Sequence, residues 1–205
     1  AAVSSALSPA TRLVWLESPT NPRLLLADIA AVAEVAHARG ALVVVDNTFA
    51  TPVLQQPLAL GADLVVHSVT KYLAGHADVI QGAVIAARAD VFAPIKFLQN
   101  AAGAVPSPFD CWLTLRGLQT LDLRVWRQVE NAQAIATALA AHPRVTRVYY
   151  PGLPDHPGHA LARRQMRGFG AIVSFELDGA PEDVRAFVSS RRYFTLGESL
   201  GAVKA

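Results

Sequence analysis

The chain has 205 residues, 52% hydrophobic and 17% charged, with a formal net charge of +2. That is enough for one large domain, or a domain and a half, around a sizeable core. Near-balanced charge argues against a nucleic-acid or membrane-surface role, which usually rests on a concentrated basic patch; Arg163-Arg164 and Arg191-Arg192 are short pairs that read as solvated faces. The single cysteine, Cys111, excludes an internal disulfide, fits a reducing cytoplasm and reads as a packed thiol. No run of about 18 uncharged apolar residues predicts a membrane span. The start, Ala1-Ala-Val-Ser-Ser, has no initiator Met and no signal-peptide pattern, and both ends read as cut.

Arg12 to Glu17 predicts a strand, ended by Ser18-Pro19-Thr20-Asn21-Pro22. Asp28 caps a predicted helix whose apolar positions Ile29, Val32, Ala33 and Ala36 keep helical spacing, with Gly40 at its C-terminal end. Ala41 to Val45 is a continuous apolar run of the kind a strand buried on both faces shows, and it stops at Asp46-Asn47-Thr48. Thr51-Pro52 opens a short helix as cap and first-turn proline. Leu64 to His67 and Ile80 to Ala86 are the next strands. This alternation predicts an α/β fold: a mostly parallel sheet with helices on both faces. From about Pro108 the pattern changes. Cys111 to Ala141 reads as a long helix broken near Gly117, followed by strand Val145 to Tyr150, a Pro/Gly turn, helix Ala160 to Met166, strand Ala171 to Leu177 and helix Pro181 to Ser189. We place a first domain at 1–128 and a second, α+β one, at 129–205, both partial.

Three strands deliver polar groups at their C-terminal ends: Asn21, then Asp46 with Thr48, then Ser68, Thr70 and Lys71. Ligands of open parallel sheets bind just beyond those ends. A lone lysine there is ordinarily a surface charge, and Asp-Asn-Thr after a strand is ordinarily a turn. Three such sets on one rim favour a cofactor site. An amine can bond covalently to an aldehyde cofactor while hydroxyls hold its phosphate. Each group suits pyridoxal phosphate: Lys71 as the covalent anchor, Asp46 on the pyridine nitrogen, Ser68 and Thr70 on the phosphate, and Asn21 on the ring hydroxyl or a substrate carboxylate. His67 reads as a satisfied core histidine and His76 as packing near the lysine loop. His156 and His159 are too sparse for a metal site, and none is expected. Trp15, Trp112 and Trp126 are expected in the core.

The motifs Glu17-Ser-Pro-Thr-Asn-Pro22, Val45-Asp-Asn-Thr-Phe49, Ser68-Val-Thr-Lys-Tyr-Leu-Ala-Gly-His76 and Pro106-Ser-Pro-Phe-Asp110 appear in order, followed by Arg116-Gly-Leu-Gln-Thr-Leu121, Gly168-Phe-Gly-Ala-Ile-Val-Ser-Phe-Glu176 and Glu198-Ser-Leu-Gly201. Together they span nearly the whole chain. In them it resembles the Cys/Met-metabolism enzymes that use pyridoxal phosphate, and within these the cystathionine γ-synthases and γ-lyases. The resemblance implies the aspartate-aminotransferase-like fold (fold type I). It implies that Lys71 carries the cofactor and Asp46 pairs with its ring nitrogen, with Thr48 in the cofactor-binding set. Ser199 would then hold the substrate carboxylate, and Glu198 would favour the branch that handles the distal amino group of cystathionine. The implied activity is γ-replacement or γ-elimination on cystathionine or O-acylhomoserine-type amino acids. Sulfhydrylation of O-succinylhomoserine, cystathionine β-elimination and a truncated non-catalytic copy are the alternatives. A cytoplasmic homotetramer, a dimer of dimers, is implied as well. Ala77 stands where the family commonly has Ser, and Val69 where it has a smaller residue. The family's N-terminal ring-stacking tyrosine and C-terminal substrate-clamping arginine have no match here, so the chain is expected to be a central fragment.

Overall fold

A computed structural model describes residues 2–203 of the chain. After a short helix α1 (Ala2–Ala6), strands β1 (Leu13–Glu17), β2 (Leu42–Asp46), β3 (Leu64–Ser68) and β4 (Gly82–Ala86) form one sheet in the order β1-β2-β3-β4. The first three pair in parallel. β4 runs antiparallel to β3, with Ser68 opposite Gly82. The antiparallel edge has a local cause: no crossover helix follows β3, and the chain doubles back through the turns around Lys71.

Between β1 and β2 lies α2 (Ile29–His37), capped by Asp28, whose carboxylate accepts from Ala31 N. Its buried residues are Ile29, Val32, Ala33 and Ala36; Ile29, Ala33 and Ala36 pack on Val43 and Val45 of β2. Helix α3 (Thr51–Leu54) and a 3-10 turn (Pro57–Leu60) lead into β3. Thr51 is not the backbone cap expected. It is the first helical residue, in left-handed backbone (φ 62°), and its Oγ1 accepts from Val53 N at 3.2 Å.

Helix α4 (Ala89–Ala102) has no counterpart in the sequence reading, because Pro94 stands inside it and breaks the periodic signal. The long helix expected from Cys111 is two: α5 (Pro108–Leu118), capped by Ser107, and α6 (Leu121–Ala140). The break falls at Gln119-Thr120, and Gly117 sits inside the last turn of α5. Strand β5 (Val145–Tyr149) pairs antiparallel with β6 (Ser174–Leu177), with α7 (His159–Gln165) between them and α8 (Pro181–Ser189) after them. β6 begins three residues later than expected, and Ala171 and Ile172 pack into a core instead.

That core is central to the site. Ala50 and Leu54 of the α3 region, Tyr72 of the lysine loop, Leu121 and Val125 of α6, and Ala162 and Met166 of the α7 region form one cluster, with Leu200 against it. Burial at this density holds the α3 region, the lysine loop and the α7 region against α6.

The tryptophans depart from expectation. Trp15 is 58% exposed and Trp112 53%, while Trp126 is 37% exposed. Trp15 alternates onto the opposite sheet face from Val14 and Leu16, which pack against the α2 cluster. Trp112 lies with Phe109 and Leu115 in an exposed row along α5, its ring stacked on Phe109 at 5.8 Å. A continuous apolar strand or helix pattern reveals burial on average, not which face is covered. Among the described residues no helix is long and apolar enough to cross a membrane.

Candidate active site

The C-terminal ends of β2 and β3 fix the centre of the site. Asp46 closes β2, and its Oδ1 accepts from Thr48 N at 2.9 Å, a local turn that swings the Thr48 hydroxyl toward β3. Thr48 Oγ1 accepts from Ser68 N at 2.8 Å. Asp46, Thr48 and Ser68 thus form a chain across two strand ends. Among the described residues Asp46 Oδ2 and Ser68 Oγ make no hydrogen bond, so an acceptor and a donor are left for a ligand.

The loop after β3 carries Lys71. Lys71 N donates to Ser68 O at 3.1 Å and Gly75 N to Lys71 O at 3.0 Å, which winds residues 68–75 into a tight coil. Gly75 is required twice: its φ is +73°, and a Cβ there would lie 2.2 Å from the Arg124 guanidinium. Ala77 adopts a left-handed φ of 56° without that freedom. Lys71 Nζ donates to Ser199 Oγ at 3.0 Å across 128 residues of sequence. Lys71 forms no ion pair among the described residues.

Other sequence-derived candidates stand differently. Thr70 Oγ1 accepts from Gln81 N at 2.9 Å and donates to Gln81 O at 3.3 Å. The second bond is long, and an anion is the stronger acceptor for that proton. Asn21 is exposed; its N–H donates to Glu17 Oε1 at 3.3 Å. Glu198 is exposed beside Ser199 and makes no hydrogen bond or ion pair among the described residues.

Several groups went unread in the sequence. Glu17 lies opposite Asp46 in the β1–β2 register. Burial raises its pKa above the usual carboxylate value, the Asn21 N–H offsets part of this, and the Asp46 charge raises it further. Gln55 is buried and donates to Ser18 O and Asn47 Oδ1, both at 2.8 Å, while Gln165 of α7 donates to Gln55 Oε1 at 2.9 Å. These amides tie the helix between β5 and β6 to the floor of the site. Their only sequence signal was polarity in apolar surroundings. His67 is 3% exposed, as a core histidine should be, yet its Nδ1 has no partner among the described residues, which corrects the satisfied reading. Burial lowers its pKa and the Asp46 charge partly restores it. His67 lines a recess of about 460 Å³ together with Asn47, Gln55, Val65, Leu73 and Ile85. His76 Nδ1 lies 2.7 Å from Ala74 O, beside the lysine loop. Among the described residues no cluster of His, Cys, Asp and Glu could hold a metal.

The family profile described as Cys/Met metabolism PLP-dependent enzyme matches residues 1–205. A cystathionine gamma-synthase of Mycobacterium tuberculosis is 54% identical over 204 residues, covering 100% of this chain and 53% of its own. A cystathionine gamma-lyase of Dictyostelium discoideum is 52% identical over 203 residues, covering 99% of this chain and 52% of its own. The crystal structure of the Xanthomonas oryzae pv. oryzae cystathionine gamma synthase, in complex with aminoacrylate and cysteine, superposes with a TM-score of 0.96 at 54% identity, over 98% of this chain and 52% of that one. The chain therefore spans about half the length of the curated relatives it matches. With the family's profile matched from end to end and its mostly parallel fold type I sheet in place, the chain belongs to the Cys/Met-metabolism PLP-dependent enzymes.

Proposed function

We propose that this chain carries the lysine-bearing portion of a trans-sulfuration enzyme, a cystathionine γ-synthase or γ-lyase. It would replace or eliminate the γ-substituent of cystathionine or of an O-acylhomoserine. The observation that carries the reading is the Lys71–Ser199 contact of 3.0 Å beside the Asp46–Thr48–Ser68 chain. One amine without an ion-pair partner, one carboxylate oxygen left open and the unbonded Ser68 hydroxyl on a single rim fit a pyridine aldehyde phosphate. Lys71 is the covalent anchor. Asp46 serves the ring nitrogen, Ser68 and Thr70 the phosphate, and Asn21 the ring hydroxyl or the substrate carboxylate, with Thr48 in the same cofactor-binding set.

Pyridoxal phosphate, when bound, supplies the electron sink that makes an amino-acid α-proton removable. The protein's part is positional and protic. Lys71 Nζ, on a flexible stem, takes the proton at the substrate α-carbon and moves one at the β-carbon. Ser199 holds the substrate carboxylate near that amine, and exposed Glu198 meets the distal amino group. The 1–128 portion is the cofactor-binding domain and 129–205 the start of the small domain, joined through α6. The exposed Phe109–Trp112–Leu115 row supports assembly into a homotetramer, and the lone Cys111 supports a cytoplasmic setting.

The test is spectroscopic. The purified chain with added pyridoxal phosphate should develop a visible band, and borohydride reduction should place the label on Lys71. A folded chain labelled elsewhere would sink the reading for these residues, as would a full-length protein left unlabelled. Assays with cystathionine, with O-succinylhomoserine plus cysteine, and with the same ester plus sulfide then separate cleavage, synthesis and sulfhydrylation.

A further inference from the structure

The corner between α5 and α6 lies directly against the lysine loop. Arg124 sits one turn into α6, and among the described residues no carboxylate pairs with it. Its guanidinium is spent on neutral acceptors: Nη1 donates to Tyr72 O at 2.9 Å, Nη2 to Gly117 O at 2.8 Å and Nε to Thr120 Oγ1 at 3.0 Å. A planar fork with fixed donors is suited to holding two backbone segments at one spacing. Gly117 lets α5 close on the loop, since a Cβ there would lie 2.2 Å from Ala74 O.

The segment that carries Ser199 is held from the same helix. Gln128, one turn beyond Arg124 and on the same face, donates through Nε2 to Ala202 O at 3.2 Å. Val203 N donates to Gly75 O at 2.8 Å, and a Cβ on Gly201 would lie 2.9 Å from the Tyr72 ring. One helical face therefore grips the lysine loop with one residue and the Ser199 segment with the next.

We infer that Arg124 is a positioning residue, which with Gln128 sets the lysine loop in register with residues 198–203 and so fixes where the Lys71 amine meets Ser199. The inference rests on the proposed role of Lys71, but its test does not require bound cofactor.

In the cofactor-free chain, trace acetylation of Lys71 is compared with that of exposed Lys96 in the same molecule. R124M should raise the Lys71-to-Lys96 ratio about threefold or more as the amine leaves Ser199, R124K should raise it less, and Q128A should raise it in the same direction. S199A should raise the ratio by itself, and adding R124M to it should add little. A role confined to stability would lower the melting temperature of R124M and leave the ratio as in the wild type, and that result overturns the inference. If R124M lacks a cooperative melt, R124K and Q128A decide by the same ratio. Failure of the full-length protein to take pyridoxal phosphate at Lys71 would overturn the functional reading, while the acetylation ratio would still judge Arg124.

Discussion

Two aspartates stand at opposite ends of the same sheet and meet opposite fates. Asp63 precedes β3 and is 5% exposed. Its Oδ2 accepts from His37 Nε2 and from Val43 N, both at 2.8 Å, and its Oδ1 from Arg88 Nη1 at 3.4 Å. Burial alone would raise its pKa; the His37 and Val43 hydrogen bonds, with the His37 and Arg88 charges, bring it below the usual value instead. Asp46 ends the neighbouring strand, spends one oxygen on Thr48 N and leaves the other open. A satisfied carboxylate braces a fold, whereas one with an unspent acceptor at a strand C-terminus is available to a ligand.

The comparison can be broken most decisively at Lys71. K71A should abolish the visible band and the borohydride label while leaving the melting temperature close to wild type; a retained label would remove the rim from the chemistry. Next comes D63A, which strands the buried Val43 N–H and should cost about 1–3 kcal/mol in denaturant melts at neutral pH. The Asp63 contribution is present above its ordinary value of 3.8 and is lost as pH falls through its lower folded value, so the wild-type advantage should shrink in strong acid. D46N should be nearly silent in stability, within about 0.5 kcal/mol, yet should diminish cofactor binding measured by absorbance titration. A D46N loss as large as that of D63A would erase the distinction between the two ends. The smallest effect is expected at Glu17. Its raised pKa disfavours the charged form at neutral pH, so E17Q should melt slightly higher than wild type at pH 7. That gain should vanish as pH falls below 4.5, the unperturbed value. A gain independent of pH would assign the effect to packing.

Much of this was legible from sequence where local physics decides. The spacing of Ile29, Val32, Ala33 and Ala36 after Asp28 specified helix, cap and buried face together, and the structure has all three. The rim residues Asp46, Thr48 and Ser68 were legible because parallel strands end on one edge. What stayed hidden depends on partners remote in sequence. Pro94 masked α4, Trp15 gave no sign of its exposed face, and nothing near His67 announced an unpaired Nδ1. Arg124 could be found only once folding had brought Tyr72 O, Gly117 O and Thr120 around it, since its acceptors are two carbonyls and a hydroxyl, without a complementary charge.

The Lys71–Ser199 contact also has a consequence in time. The two residues are 128 positions apart, and chains grow at about 5–20 residues per second, so roughly 6 to 26 seconds of synthesis separate the amine from its hydroxyl partner. For the whole of that interval Ser199 is still unmade, although β1, β2 and β3 precede Lys71 in the chain. A nascent chain therefore has its lysine well before the hydroxyl that holds the amine, and premature termination before residue 199 would leave Lys71 without that partner.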